Sequence, residues 1–222
     1  MYDIVRGPLV WVSILVFILG TAYQIIRFYQ SSLLKPTLRL PQRPSGDSSL
    51  LPTQSLGYKL KMLKLTIIGS QPVMVVITTL FHLCLVVTPF FVLGHNVLLD
   101  LSWGISFPSL PEGITDALTI VVIAGGLYFL YRRLFVKRVR AITTLYDYVV
   151  LLLATAPFVT GFLAYHLIFD YDTVVFLHML AGELMLIAIP FTKLVHMPFF
   201  FINRFVMIHE NTFGRGGSRV WN

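Results

Sequence analysis

Residues 174–201 read VVFLHMLAGELMLIAIPFTKLVHMPFFF, twenty-eight positions with only two formal charges, Glu183 and Lys193, and two histidines, His178 and His196. A run this long and apolar spans a hydrocarbon core of about 30 Å as a helix. Eighteen residues make five turns, so on one continuous helix the two imidazoles share a face and stand about 27 Å apart. An imidazole in lipid is costly unless it is hydrogen-bonded or bound to a metal. Two on one face of one span therefore mark this stretch for function.

The rest of the chain repeats the pattern. Apolar residues make up 56% of the 222 positions and charged residues 12%, and the charges gather in short clusters between long uncharged runs. That distribution describes a polytopic membrane protein with no room for a separate soluble domain. The predicted architecture is all-α, a single bundle of five spans over about 8–26, 72–98, 114–131, 142–169 and 174–201. The first, beginning at Pro8, is too long and too uniformly apolar for a signal h-region and reads as a retained helix. The second begins near Pro72, because one helix from Lys64 to His95 would run to about 46 Å. Gly69, Ser70, Gln71 and Pro72 supply the break. Leu56 to Ile68, with Lys59, Lys61 and Lys64 among leucines, predicts an amphipathic helix lying on the membrane surface. The connections are short, apart from the Pro, Ser and Gly-bearing segment Lys35 to Gln54.

Orientation follows from lysine and arginine. Arg27, Lys35, Arg39, Arg43, Lys59, Lys61 and Lys64 fall between spans one and two. Arg132, Arg133, Lys137, Arg138 and Arg140 fall between three and four, and Arg204, Arg215 and Arg219 follow five. The opposite connections hold Asp100, Glu112, Asp116, Asp170 and Asp172 instead, and only Arg6 disagrees. The expected topology has the N-terminus outside and the C-terminus in the cytoplasm. It also accounts for the net charge of +7 through anionic lipid and an acidic cytoplasmic partner, without nucleic acid. Cys84 is the only cysteine, which excludes an iron–sulfur cage, covalent haem attachment and an internal disulfide within this chain. It reads as an apolar packing residue.

The second span carries its own pair, His82 and His95. Thirteen residues separate them by about 20 Å but also by about 140° around a straight helix, so a kink at Pro89 or a strong tilt has to re-aim one of them. Spans two and five run antiparallel, so depth pairs His82 with His196 toward the cytoplasm and His95 with His178 toward the outside. Four imidazoles at matched depths suggest two clamped haems, each iron with two axial nitrogens and no open position. The plainer reading is that they hydrogen-bond between helices. His166, near the outer end of span four, reads as solvated, and His209, in the basic tail, as a surface residue. Glu183 reads either as a proton relay or as a neutral hydrogen-bonded carboxyl. Lys193 could reach a haem propionate or extend to the interface.

The residues around these histidines resemble a known family. Pro190-Phe191-Thr192-Lys193-Leu194-Val195-His196, with His178 upstream, resembles the last helix of the gamma subunit of respiratory nitrate reductase. Arg132-Arg133-Leu134-Phe135-Val136-Lys137-Arg138-Val139-Arg140-Ala141, followed by Thr143, Thr144 and Asp147, resembles that subunit's basic connection and the start of its fourth helix. Leu80-Phe81-His82 and Gly94-His95 resemble its second-helix ligand pair. The resemblance covers most of the chain. It implies a di-haem cytochrome b of the bacterial inner membrane with His82, His95, His178 and His196 as ligands to two haem b. Lys193, Arg132, Arg133 and Arg138 would be the basic residues at the cofactor-bearing end. In that family electrons pass from a quinol, of which menaquinol, the reduced form of menaquinone, is one type, to a cytoplasmic iron–sulfur subunit during anaerobic respiration. The spacing of His82 and His95 is longer than the family's. The outer loop Asn96 to Asp116 lacks the lysine the family associates with quinol, and Leu56 to Ile68 is unlike its counterpart. These departures fit the cytochromes of multi-subunit redox complexes in sulfate-reducing bacteria, the high-molecular-weight cytochrome c complex among them. That implies a periplasmic multihaem cytochrome arm and other membrane subunits as partners.

Two other classes compete. A small transporter or channel would use Glu183, Lys193 and the histidines as an ion path, but the sequence shows no inverted repeat and no matched pair of broken helices. A structural anchor would use the basic connections to dock an enzyme while the histidines only pack.

Overall fold

The computed structural model describes residues 4–33, 69, 71–200 and 202. The predicted surface helix 56–68, the connection 35–54 and the tail with His209 lie outside the described residues. All regular structure among those described is helical, and five helices are long and apolar enough to cross a membrane: Val5–Gln30, Pro72–Phe91, Glu112–Phe135, Leu145–Tyr165 and Tyr171–Phe191. The chain is accordingly a multi-pass membrane protein by length and composition of its helices. Its contacts divide it into two compact units, one built from the first and last two spans and the other from residues 35–140.

In the first unit, a π-helical turn at Val5–Leu9 that accommodates Pro8 leads into α1, Val10–Leu33. Among the labelled helices, the second unit supplies α2 (Pro72–Phe91), α3 (Leu93–Trp103) and α4 (Glu112–Phe135), and the first unit resumes with α5 (Leu145–Tyr165) and α6 (Tyr171–Phe191). Helix α5 starts at a reciprocal capping box in which the Thr144 backbone N–H donates to Asp147 Oδ2 at 2.8 Å. Helix α6 starts at Asp170, whose Oδ2 accepts from the Thr173 amide at 3.0 Å and the Thr173 hydroxyl at 2.6 Å. These bonds, the hydroxyl's first, hold the Asp170 carboxyl below the usual carboxylate range.

Helix α6 packs on both α5 and α1. A Cβ on Gly20 of α1 would meet Pro190 Cβ and Cγ at 2.8 Å, so only glycine lets the two backbones come this close. Gln24 Nε2 donates to the Pro190 carbonyl at 2.8 Å. One and two turns further on, the Phe28 and Phe199 rings lie 5.1 Å apart. Residue numbers rise together along both contacts, so α1 and α6 run parallel.

The predicted fifth span over 174–201 is corrected. Helix α6 begins at Tyr171 and stops at Phe191, where Thr192 is extended at φ −120 and ψ −175, and a 3-10 turn follows at Lys193–Val195. Thr192 Oγ1 accepts the Leu194 amide at 3.2 Å, the N–H that would otherwise close on the Pro190 carbonyl four residues back. Gln24 takes over that carbonyl. His178 and His196 therefore do not share one continuous five-turn face.

The second unit contains a similar interruption. Helix α2 starts at Pro72, whose missing N–H costs nothing at a first helical position. The predicted span 72–98 is not one helix, because Val92 is extended at φ −75 and ψ 132 and the chain restarts as α3. Pro89 sits in the last turn of α2, where it weakens the helix just before that break. Helix α3 ends on Gly104 in the left-handed conformation at φ 65, with its N–H on the Asp100 carbonyl. The returning loop is pinned by Asn96, which donates to Ser109 Oγ at 2.9 Å and accepts from the Phe107 amide at 3.3 Å. Helix α4 packs on α2. At that contact a Cβ on Gly125 would meet Phe81 Cδ2 at 2.8 Å, and Phe81 meets Phe129 edge-on at 5.1 Å. An apolar cavity of about 180 Å³ opens beside it, lined by Ile77, Leu80, Val121, Ala124, Gly125 and Tyr128.

Gly20→Leu and Gly125→Leu are each expected to destabilise their unit by about 1–3 kcal/mol through overpacking, whereas Gly113→Ala, which meets nothing within 4 Å, leaves stability nearly unchanged. Thermal unfolding in detergent checks all three. Because the Asp170 carboxyl is depressed, its contribution is present above its unfolded pKa and lost as pH falls through the folded value. Amide exchange at Thr173 should therefore rise in acid in the wild type, and Asp170→Ala should remove that pH response.

Candidate functional site

His82 and His95 belong to one unit, and His178 and His196 to the other. Each of the four rings makes the same bond. His82 Nδ1 lies 2.7 Å from the Thr78 carbonyl, one helical turn before it. His95 Nδ1 lies 2.9 Å from the carbonyl of Pro89, so the ring on α3 reaches back across the break to the end of α2. His178 Nδ1 bonds between helices, 2.9 Å from the Pro157 carbonyl of α5 and 3.3 Å from Thr160 Oγ1. His196 Nδ1 lies 2.6 Å from the Lys193 carbonyl of the 3-10 turn.

A carbonyl only accepts, so Nδ1 carries the proton in all four rings, and in the neutral imidazole the lone pair then sits on Nε2. This is the tautomer of a histidine that coordinates through Nε2, with Nδ1–H oriented by an outer partner that raises the ring's basicity. His82, His95 and His178 are half-buried and His196 is exposed. Phe81 braces His82 edge-on at 5.4 Å between ring centres. Glycine makes room for His178: a Cβ on Gly161 would lie 3.0 Å from its Cε1 and 3.2 Å from its Nδ1. Among the described residues no group of three or more His, Cys, Asp or Glu is placed to hold a bare metal ion.

The basic residues take more specific positions than the sequence suggested. Lys193 Nζ pairs with Asp147 Oδ1 at 2.5 Å and stands 5.4 Å from the Tyr146 ring centre, while its backbone amide donates to Tyr146 Oη at 3.2 Å. The pair ties the end of α6 to the capping box of α5. Arg132 bonds Met74 Sδ, approaches Gln71 Oε1 at 3.5 Å and lies over Tyr128. Arg133 donates to the Phe129 carbonyl at 3.2 Å. Arg138 is exposed on the single turn Lys137–Arg140. His166 is also exposed, at the end of α5, with the Phe162 ring 4.3 Å away. Glu183 is 5% exposed within α6, and neither carboxyl oxygen has a hydrogen-bond partner among the described residues. Cys84 is buried in the α2 core.

Sequence reasoning missed Gly161, Pro157, Pro89 and Asp147 as supports. The Thr144-x-x-Asp147 capping signature was available for the last. The Pro157 contact joins residues 21 apart on different helices and has no sequence periodicity to announce it.

No family model matches the chain, and no solved structure matches it. A protein of Nitratidesulfovibrio vulgaris strain Hildenborough is 36% identical over 228 residues, covering 98% of this chain and 96% of that protein. The correspondence runs through all five spans rather than through one motif, and the chain belongs to the same family as that Nitratidesulfovibrio vulgaris protein.

Proposed function

We propose that the chain is a di-haem b electron-transfer subunit of a membrane redox complex. The observation that carries this reading is the common tautomer of four intramembrane or membrane-edge histidines, each with Nδ1 committed to a backbone carbonyl. Uniform orientation through one ring nitrogen is what axial ligation requires. Three of the four bonds run to carbonyls three to six residues earlier and one, at His178, runs between helices, yet all four leave Nε2 as the nitrogen with the lone pair.

His82 and His196 would hold one haem and His95 and His178 the other, the pairing that the antiparallel order of spans two and five in the sequence suggests. Bis-histidine haem, when bound, supplies one-electron transfer with no coordination position for oxygen or substrate. The chain's own part is to fix the four rings, keep water away with apolar helices and set the surrounding charge. The lysine and arginine bias would put the 132–140 connection and the C-terminus on the cytoplasmic side, in this reading of a bacterial inner membrane. There, exposed Arg138 and its neighbours would meet an acidic cytoplasmic iron–sulfur subunit. The resemblance to the nitrate reductase gamma family supports menaquinol, or a periplasmic multihaem cytochrome arm, as the electron source.

A pyridine haemochrome assay on the purified chain tests the reading, with two b haems per chain expected. A folded preparation without haem refutes it. His196→Ala is expected to halve the haem count by removing the inner group and sparing the outer one. Gly161→Leu, which drives a side chain into His178, should instead deplete the outer haem while far-ultraviolet circular dichroism stays helical. Loss of neither haem in either variant would overturn the ligand assignment.

A further inference from the structure

Glu183 is the only buried carboxyl among the described residues, and it lies midway along a membrane-spanning helix with neither carboxyl oxygen hydrogen-bonded within them. Its surroundings can be read from the packing of the first unit. Parallel α1 and α6 meet at Gly20 and Pro190. Seven residues back on each, nearly two turns and so on the same face, stand Ser13 and Glu183. Ser13 is 0% exposed and its hydroxyl donates to the Val10 carbonyl at 2.8 Å. The carboxyl is therefore at the α1 interface, level with Ser13.

On the other side, α5 runs antiparallel to α6, with Asp147 at Lys193 and Gly161 at His178. The part of α5 level with Glu183 is 152–160, which contains no ionisable residue, and neither do residues 9–17 on the α1 side. The nearest ionisable group on the packed elements is His178 on α6 itself, and others among the described residues stand further along: Arg6 and Tyr23 before and within α1, Tyr148 and Tyr165 on α5, Tyr171 at the start of α6 and Lys193 in the 3-10 turn beyond it. None of them bonds the carboxyl. A carboxylate without a counter-charge in a low-dielectric interior is strongly sensitive to any charge that appears nearby.

His178 lies five residues away, about 7.5 Å along the helix axis. We propose that Glu183 is a proton-binding site whose occupancy rises when the centre held by His178 is reduced. This deepens the di-haem reading and rests on it. A haem held by His178 would take up one electron from a quinol or a chemical reductant. One proton from the aqueous phase adds to a Glu183 carboxylate oxygen, forming an O–H bond and leaving the net charge of the pair unchanged. The added electron makes an ionised carboxylate costlier, and the proton removes that cost. By the same linkage, protonated Glu183 favours the reduced centre.

The test is an optical redox titration of the full chain with its haem, over a pH series, in the wild type and in Glu183→Gln, a neutral side chain of nearly the same shape. The midpoint of the outer centre should fall as pH rises in the wild type and lose that dependence in Glu183→Gln. An identical pH dependence in both overturns the proposal while leaving the di-haem reading intact. A wild-type preparation whose haemochrome count is zero overturns both, and is recognised before any titration. Should Glu183→Gln fail to accumulate, redox-difference infrared spectra of wild type labelled with ¹³C-carboxyl glutamate decide the matter. A protonated-carboxyl band that grows on reduction and shifts with the label supports the site, and its absence overturns it.

Discussion

Inside a bilayer every backbone polar group must be satisfied by the protein itself, and this chain meets that constraint at its prolines with side chains. Helices α2 and α6 stop soon after Pro89 and Pro190, and helix ends leave carbonyls without intrahelical donors. His95 bonds the first of these carbonyls and Gln24 the second, while His178 bonds the carbonyl of Pro157 within α5. Two of the four candidate ligands thus take their orientation from proline carbonyls. At His95 the break in the helix and the aim of the ring meet in one bond.

That dependence explains what the sequence disclosed. The number of spans was legible, because long uncharged runs separated by charge clusters leave few alternatives in lipid. The interruptions at Val92 and Thr192 were not, since apolar residues run on past both and Thr192 and Lys193 are only a short polar step in the second. Pro89 had been recognised as a place for a kink, but the 140° mismatch between His82 and His95 described a straight helix that does not exist. The apparently ideal register of His178 and His196 failed for the same reason.

The candidate site was legible as residue types and not as geometry. Four histidines in apolar surroundings are visible in any reading. Their shared tautomer depends on Thr78, Pro89, Pro157 and Lys193 as carbonyls, and a carbonyl has no letter in the sequence. Gly161 shows the same limit, because its importance lies in the Cβ it lacks beside a ring seventeen residues onward. Lys193 was visible as a cation, but its partner Asp147 lies 46 positions away, in a capping box.

The bond from Gln24 to the Pro190 carbonyl spans 166 residues, and it bears on how the protein is made. A ribosome delivers the first span to the membrane long before the last one exists. Until then the Gln24 amide and the notch at Gly20 face lipid or the insertion machinery. The first unit consequently closes late in synthesis, after the spans of the second have been made, and contacts of this separation are the slow ones in folding. Its first helix must wait in the membrane as a stable individual, which the unbroken apolar run of α1 equips it to do.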